Sequence, residues 1–371
     1  MTAAPSPQPL SGLLVLDFTT LLPGPLATLL LAEAGARVVK IERPEGDDLR
    51  RFEPPWGADC AAFALLNRGK EGLVLDLKDA GDRARLAPLL AAADVLVEQF
   101  RPGVMARLGL GYEALAAAHP RLIYCSITGY GQAGPKAGRA GHDLNYIGDA
   151  GLLALASGPA GAPVVPPALV ADIAGGAYPA MMNILLALRR RDVTGRGCHL
   201  DIAMADGALP FAFWALGAGQ AGGGWPGNAD SLLSGGTPRY RLYPAADGRL
   251  VAVAAIEDKF WAAFCTAIGL DPALAEDGRD PAATIAGVAA LIAARPSAEW
   301  RGLLAAADCC CTIVASLQEA VEDPQFRARG LFAHRVANEA GTSMPALPLP
   351  IDPAFRAPPQ TLGYPGRGGG K

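Results

Sequence analysis

The chain has 371 residues, 51% hydrophobic and 18% charged, with a formal net charge of −4. That balance describes a globular protein with material for one large domain or two ordinary ones, and it excludes a disordered chain. Mild acidity also argues against a general nucleic-acid binder, which needs a basic face, so an anionic ligand must meet a local cluster of Lys and Arg.

The opening MTAAPSPQPLSG reads as a short Pro/Ser tail, without the basic and apolar regions of a secretory signal. From residue 13 to 131, short apolar runs alternate with helical patterns. LLVLDF (13–18) predicts a strand and PLATLLLAEAG (25–35) a helix stopped at Gly35, followed by a strand RVVKIERP (37–44). Further strands are expected at LVLDL (73–77), DVLVEQF (94–100) and RLIYCSITGYG (121–131), with helices over roughly 79–93 and 111–118. This alternation implies βαβ units and a largely parallel sheet, hence an α/β fold whose ligands bind beyond the carboxyl ends of the strands. Glu42 sits where a dinucleotide fold places its ribose-binding acid, but TTLLPGPLATLL holds one glycine and no GxGxxG, which argues against nicotinamide binding.

A long helix is expected over 174–191 and a strand over CHLDIAM (198–204), before a glycine-rich linker at 217–236. PRYRLYPAADGRLVAVAAI (238–256) predicts a hairpin, followed by helices at 258–268, 281–295 and 297–307 and a capping box at Ser316 and Glu319. The resulting division is a large α/β domain over 1–205 completed by 325–371, a linker at 206–237, and a smaller α+β domain at 238–324. No apolar stretch reads as reaching the ~18 residues of a membrane span, so no membrane partner is expected. The segment LPFAFWALGAGQAGGG (209–224) reads as a buried helix, with Phe211, Phe213, Trp214 and Trp225 packed in a core or lining an acyl site. Seven cysteines without CxxC spacing point to free thiols in a reducing cytoplasm and to no metal site.

Four positions could carry chemistry. His142 and Asp143 stand together in AGHDLNY (140–146), where the imidazole is either a base or a loop histidine, and Asp143 either orients it or caps the next segment. Asp172 precedes Gly175 and Gly176 at the start of the long helix, as a cap or as a carboxylate beside room for a ligand. Glu257 follows the strand LVAVAAI. For an anion, Lys40, Arg43, Arg68, Lys70 and Arg101 lie near strand ends, where a phosphate could meet them.

Taken together, LSGLLVLDFTTLLPGPLATLLLAEAGARVVKIERPEGD, LLNRGKEGLVLDLK, ADVLVEQFRPGVMARLGLGYE, AGHDLNY, TGRGCHLDIAMADG and IEDKF resemble the class III CoA-transferase family, within it most of all the alpha-methylacyl-CoA racemases. The resemblance implies a Rossmann-like large domain, a smaller domain and an interlocked homodimer. It implies an acyl-CoA substrate, with CoA contacted by Arg43, by Leu75, Asp76, Leu77 and Lys78, and by Ala140, Gly141 and Asn145. No cofactor is expected beyond the CoA of the substrate. Racemases of this family use a histidine and an aspartate, here His142 and Asp172, as opposed acid and base, supported by a glutamate, here Glu257. Transferases instead use the aspartate as a nucleophile that forms an aspartyl-CoA thioester. Inverting a carbon beside a thioester carbonyl needs a proton removed from one face and another delivered to the opposite face, which suits such a pair. The sequence departs from the racemase pattern at Ala168, Ser234 and Asp258, where asparagine, an acid and proline are usual.

Overall fold

The computed structural model describes residues 8–156, 158, 162 and 164–368, so the first seven residues of the expected Pro/Ser tail lie outside it. Contacts divide the chain into two units, one of residues 1–150, 167–210 and 324–371, the other of residues 151–166 and 211–323.

The first unit is built on six strands: β1 (Leu14–Phe18), β2 (Arg37–Glu42), β3 (Glu71–Val74), β4 (Val95–Glu98), β5 (Ile123–Thr128) and β6 (Cys198–Ala203). They lie in the order β3-β2-β1-β4-β5-β6, all parallel. Their apolar runs are continuous because a parallel sheet is covered on both faces: every residue of β1, β4 and β5 is buried. Leu16, Leu96, Leu75 and Tyr124 join Leu86, Leu90 and Leu115 of the covering helices in one core. The order reverses between β1 and β4, and that switch point opens a crevice beyond the strand ends.

In a dinucleotide fold the loop after β1 is a glycine cradle. Here it holds Leu21 at φ 60°, and buried ions fill the space behind it. Lys40 and Lys70 are fully buried with Asp17 and Asp47. Lys40 Nζ donates to the Thr19 carbonyl at 2.8 Å and pairs with Asp47 at 3.0 Å. Lys70 Nζ donates to Asp17, Thr28 and Asn67 at 2.8–2.9 Å. Burial alone would raise the Asp17 pKa, but the two ammonium groups hold it well below the carboxylate range. Glu42, the residue in the ribose position, is buried against Arg50 at 2.6 Å.

The expected helix at 174–191 begins earlier. A π-helical segment, Val170–Ala177, runs straight into the α-helix Tyr178–Thr194. By length and composition these 25 residues could cross a membrane, which corrects the expectation that no stretch is long enough. Asp172 and Asn183 interrupt the apolar reading of the sequence, while Gly, Ala and Ile carry it through. Ala171, Ala177, Ala180 and Ile184 are fully buried in the first unit, while Met182, Leu186 and Val193 on the same span are exposed.

The C-terminal segment packs with the first unit and adds the three strands Arg335–Ala337, Ser343–Pro345 and Thr361–Leu362. Within the second unit, Tyr240–Pro244 and Leu250–Ala254 pair antiparallel, and Leu250–Ala254 also pairs with Cys311–Ile313. Helices Asp258–Ile268, Pro281–Ala293 and Ser297–Ala307 cover this sheet around Tyr243, Phe264 and Trp300. Ser316 and Glu319 form the expected capping box at Leu317–Glu322.

Two further expectations differ from the structure. The described residues within 151–166 cluster with the second unit, and the stretch 206–237 contains the helix Phe213–Gln220. That helix is not a buried one: its Phe213 is 72% exposed and its Trp214 half-buried, and Phe211 and Trp225 on either side of it are 51% and 68% exposed. Eight residues ending in glycines give too short an apolar face to form a core of their own.

Candidate active site

A cavity of about 440 Å³ opens beyond β1, β4 and β5, and both His142 and Asp172 line it. Leu21 and Pro23 enter from the loop after β1, Phe100 and Arg101 from the end of β4, and Thr128 and Gly129 from the end of β5. Strand ends converge here because the sheet reverses order at this point.

His142 caps the short helix Asp143–Asp149, and its backbone N–H donates to the Asn145 carboxamide at 3.0 Å. Its imidazole is exposed to the cavity. Gly141 precedes it because the Tyr146 ring lies against the backbone there, 2.7 Å from where a Cβ would stand. Tyr146 donates its hydroxyl to the Gly141 carbonyl and packs edge-on against Tyr130 at 5.2 Å. These contacts fix the loop that carries His142.

Asp172 sits in the first turn of the π-helical segment. Its backbone N–H donates to Asp143 Oδ1 at 2.9 Å, and Asp143 is buried. Burial pushes the Asp172 carboxyl up to about 6, the Asp143 charge adds to the rise, and His142 opposes it. A carboxyl poised there exchanges protons near neutral pH. Asp143 therefore holds and tunes Asp172 instead of facing the cavity. Of its two expected roles, the one of orienting the imidazole has no hydrogen bond among the described residues, while it does stand in the first turn of the next helix. The room expected at Gly175 is occupied as well: a Cβ on Gly175 would stand 2.4 Å from the Met204 carbonyl, and one on Gly207 2.3 Å from the Gly175 carbonyl. The glycines admit the neighbouring backbone, not a ligand.

The residues expected to meet an anion separate into three sets. Ala140, Gly141, Asn145 and Arg101 line the cavity of His142 and Asp172. Arg43, Leu75, Asp76, Leu77 and Lys78 line a second cavity of about 610 Å³ beyond the ends of β1 to β3. Phe100 belongs to both walls, so the two cavities adjoin. Arg43 is exposed there and pairs with Asp48 at 2.7 Å. Lys40 and Arg68 line neither cavity. Lys40 is committed to the buried ions described above, and Arg68, 2% exposed, is paired with Glu33. Their expected role as ligand contacts is corrected, because a cation sealed with its own carboxylate cannot reach a phosphate.

Glu257 stands in the second unit at the start of helix Asp258–Ile268. Asp258 pairs with Arg239 at 2.6 Å, and Ser234 meets Ser231 at 2.8 Å. Ala168 is exposed in the turn before the π-helical segment. Among the described residues no group of three or more His, Cys, Asp or Glu side chains could hold a metal. Sequence reasoning missed Arg139, Thr128 and Leu21 as cavity residues. Arg139 stands three positions before His142, but a single loop arginine carries no periodic signal.

Residues 10–365 match CoA-transferase family III. The chain is 37% identical to the acetyl-CoA:oxalate CoA-transferase of Acetobacter aceti over 94% of its length and 91% of that protein. It is 34% identical to the human alpha-methylacyl-CoA racemase over 94% of its length and 90% of that protein. A CAIB/BAIF family protein from Brucella suis has a similar crystal structure (TM-score 0.77, 32% identity, 93% of this chain and 92% of that one). So does a Mycobacterium tuberculosis protein (TM-score 0.81, 29% identity, 94% of each chain). A parallel sheet with a crevice at its switch point, holding a histidine and a perturbed aspartate, defines the class of α/β enzyme to which these comparisons point. The chain belongs to CoA-transferase family III.

Proposed function

We infer that the protein is an acyl-CoA racemase or epimerase that inverts the α-carbon of a 2-methylacyl-CoA thioester. The observation that carries this reading is that His142 and Asp172, a carboxyl raised to about 6, line the same cavity. One of the two removes the α-proton, leaving an enolate whose negative charge spreads to the thioester oxygen. The other returns a proton to the opposite face, so the enzyme ends with its two groups in exchanged protonation states. A carboxyl with a pKa near working pH serves in either direction. The proposed reaction needs no cofactor beyond the CoA of its substrate, whose contacts would come from both cavities.

Incubation with a 2-methylacyl-CoA in D₂O, without an acceptor acid, tests this. Deuterium should enter the α-carbon, and His142→Ala should slow its entry by about 100-fold or more.

A second reading, CoA transfer between carboxylic acids through an aspartyl-CoA thioester at Asp172, is favoured by the likeness to the oxalate transferase and by Ala168 and Ser234. Absence of α-exchange, together with CoA passing to an added carboxylate and a hydroxylamine-sensitive adduct at Asp172, would replace the first reading with this one.

We also propose a cytoplasmic homodimer. The helix Tyr178–Thr194 exposes Met182, Leu186 and Val193 at 56%, 61% and 76%, an apolar face of the kind a partner covers. Light scattering should then report twice the chain mass of 38.1 kDa.

A further inference from the structure

Where the C-terminal segment meets the first unit, buried positive charge exceeds negative. Glu33, at the end of helix Pro23–Glu33, receives Arg68, the residue after helix Ala61–Asn67, and Arg356 of the C-terminal segment at 2.7 Å. Two guanidinium cations against one carboxylate leave one charge over, and no other charged group acts on Arg68. Burial pulls the Arg68 pKa below its ordinary value, Glu33 opposes that fall, and Arg356 adds to it. His334 stands 3.7 Å from Glu33, and burial lowers its pKa, so at pH 7.5 it is neutral and supplies no compensating or further charge.

Two buried nitrogens of this cluster have no hydrogen-bond partner among the described residues, Arg68 Nη1 and His334 Nδ1. Arg68 spends Nη2 on Glu33 and is 2% exposed. Buried polar groups left unpaired are costly and rare, so a donor of this kind calls for an acceptor. Arg68 also lines a cavity of about 50 Å³, with Gln8, Glu33, Gly69, Gln360 and Leu362. The cavity shares no residue with the two described above. One water needs only about 10–15 Å³ of such space, so a small ion fits. Gln360 is exposed, which gives the cavity a mouth toward solvent. A water there would answer the nitrogen and leave the charge, whereas an anion answers both.

We propose that this cavity binds a small monovalent anion of the chloride class, received by Arg68 Nη1. The bound ion offsets the repulsion between Arg68 and Arg356 and so fastens the C-terminal segment to the first unit. The pairing with Glu33 that closes Arg68 to a CoA phosphate leaves this one nitrogen to an ion of atomic size.

Thermal unfolding of the full chain at pH 7.5 tests this, in sodium chloride and in sodium gluconate at equal ionic strength, gluconate being too bulky for the cavity. Chloride should raise the Tm by about 2 °C or more over gluconate, with a dependence on concentration that saturates as one site does. Crystals soaked in sodium bromide should show an anomalous peak within hydrogen-bond distance of Arg68 Nη1. Arg68→Gln leaves Glu33 paired with Arg356 alone and no charge over, so in that variant the two salts should give equal Tm values. Equal Tm values for the unaltered protein overturn the proposal, and so does a cavity without bromide, which leaves the nitrogen to water. A chloride effect of undiminished size in Arg68→Gln places the ion elsewhere and overturns it as well. Should Arg68→Gln not fold, the saturable shift and the anomalous peak of the unaltered protein decide between the two outcomes.

Discussion

At the scale of single residues, the chemistry turns on how Asp143 and burial act on Asp172. The carboxyl is raised to about 6, above the 3.8 of a free aspartate, so the folded protein binds its proton more tightly than the unfolded chain does. The charged form therefore costs stability, a cost absent below about pH 4 and complete above about pH 6. Asp172→Asn should stabilise the fold by about 1 kcal/mol at pH 7.5, an allowance reduced for partial solvent access, and by nothing at pH 4. Urea denaturation at the two pH values checks this. The rate of α-exchange should show a limb near pH 6 from the same group. Asp143→Asn removes a negative charge beside it, so that limb should move to lower pH, read from the exchange profile of the variant. A profile unmoved by Asp143→Asn would mean that the Asp143 charge does not act on Asp172.

At the scale of elements, the strands and most helices could be read from apolar runs and their periods, because those follow from local burial. The π-helical segment could not. Its start at Val170 depends on glycine-to-glycine contact between Gly175 and Gly207, 32 positions apart, which lets the Asp172 turn lie against helix Met204–Ala208. Gly207→Ala would place a methyl 2.3 Å from the Gly175 carbonyl. Two backbones cannot give way as a flexible side chain does, so a loss of about 3 kcal/mol is expected in chemical denaturation. Activity should fall with it, as the turn bearing Asp172 shifts. His142 and Asp172 were both legible as candidates, one from its polar neighbours and the other from its place before two glycines. That they share one cavity depends on the sheet order.

At the scale of the whole molecule, the C-terminal segment is fastened to the first unit by buried charge. Glu33 receives Arg68 and Arg356, with His334 3.7 Å away, and Arg367 reaches Asp59 at 2.8 Å. Glu33→Ala leaves Arg68 sealed without its carboxylate, a loss of about 3 kcal/mol. The segment 324–371 should then be cut by protease at concentrations that spare the unaltered protein, as seen by gel and mass spectrometry.

By itself the sequence determined the α/β class, the strand and helix positions, the absence of a glycine cradle and the family, because local patterns and ordered motif blocks carry these. The tertiary structure decided which charges are free to act. Lys40, Arg68 and Arg101 look alike in sequence, each a cation near a strand end, yet the first two are sealed against Asp47 and Glu33 while Arg101 faces the cavity. The difference lies in partners distant along the chain, brought near by the order of the strands. A charge buried with its counter-ion is structure, and one left on a cavity wall is available to a ligand.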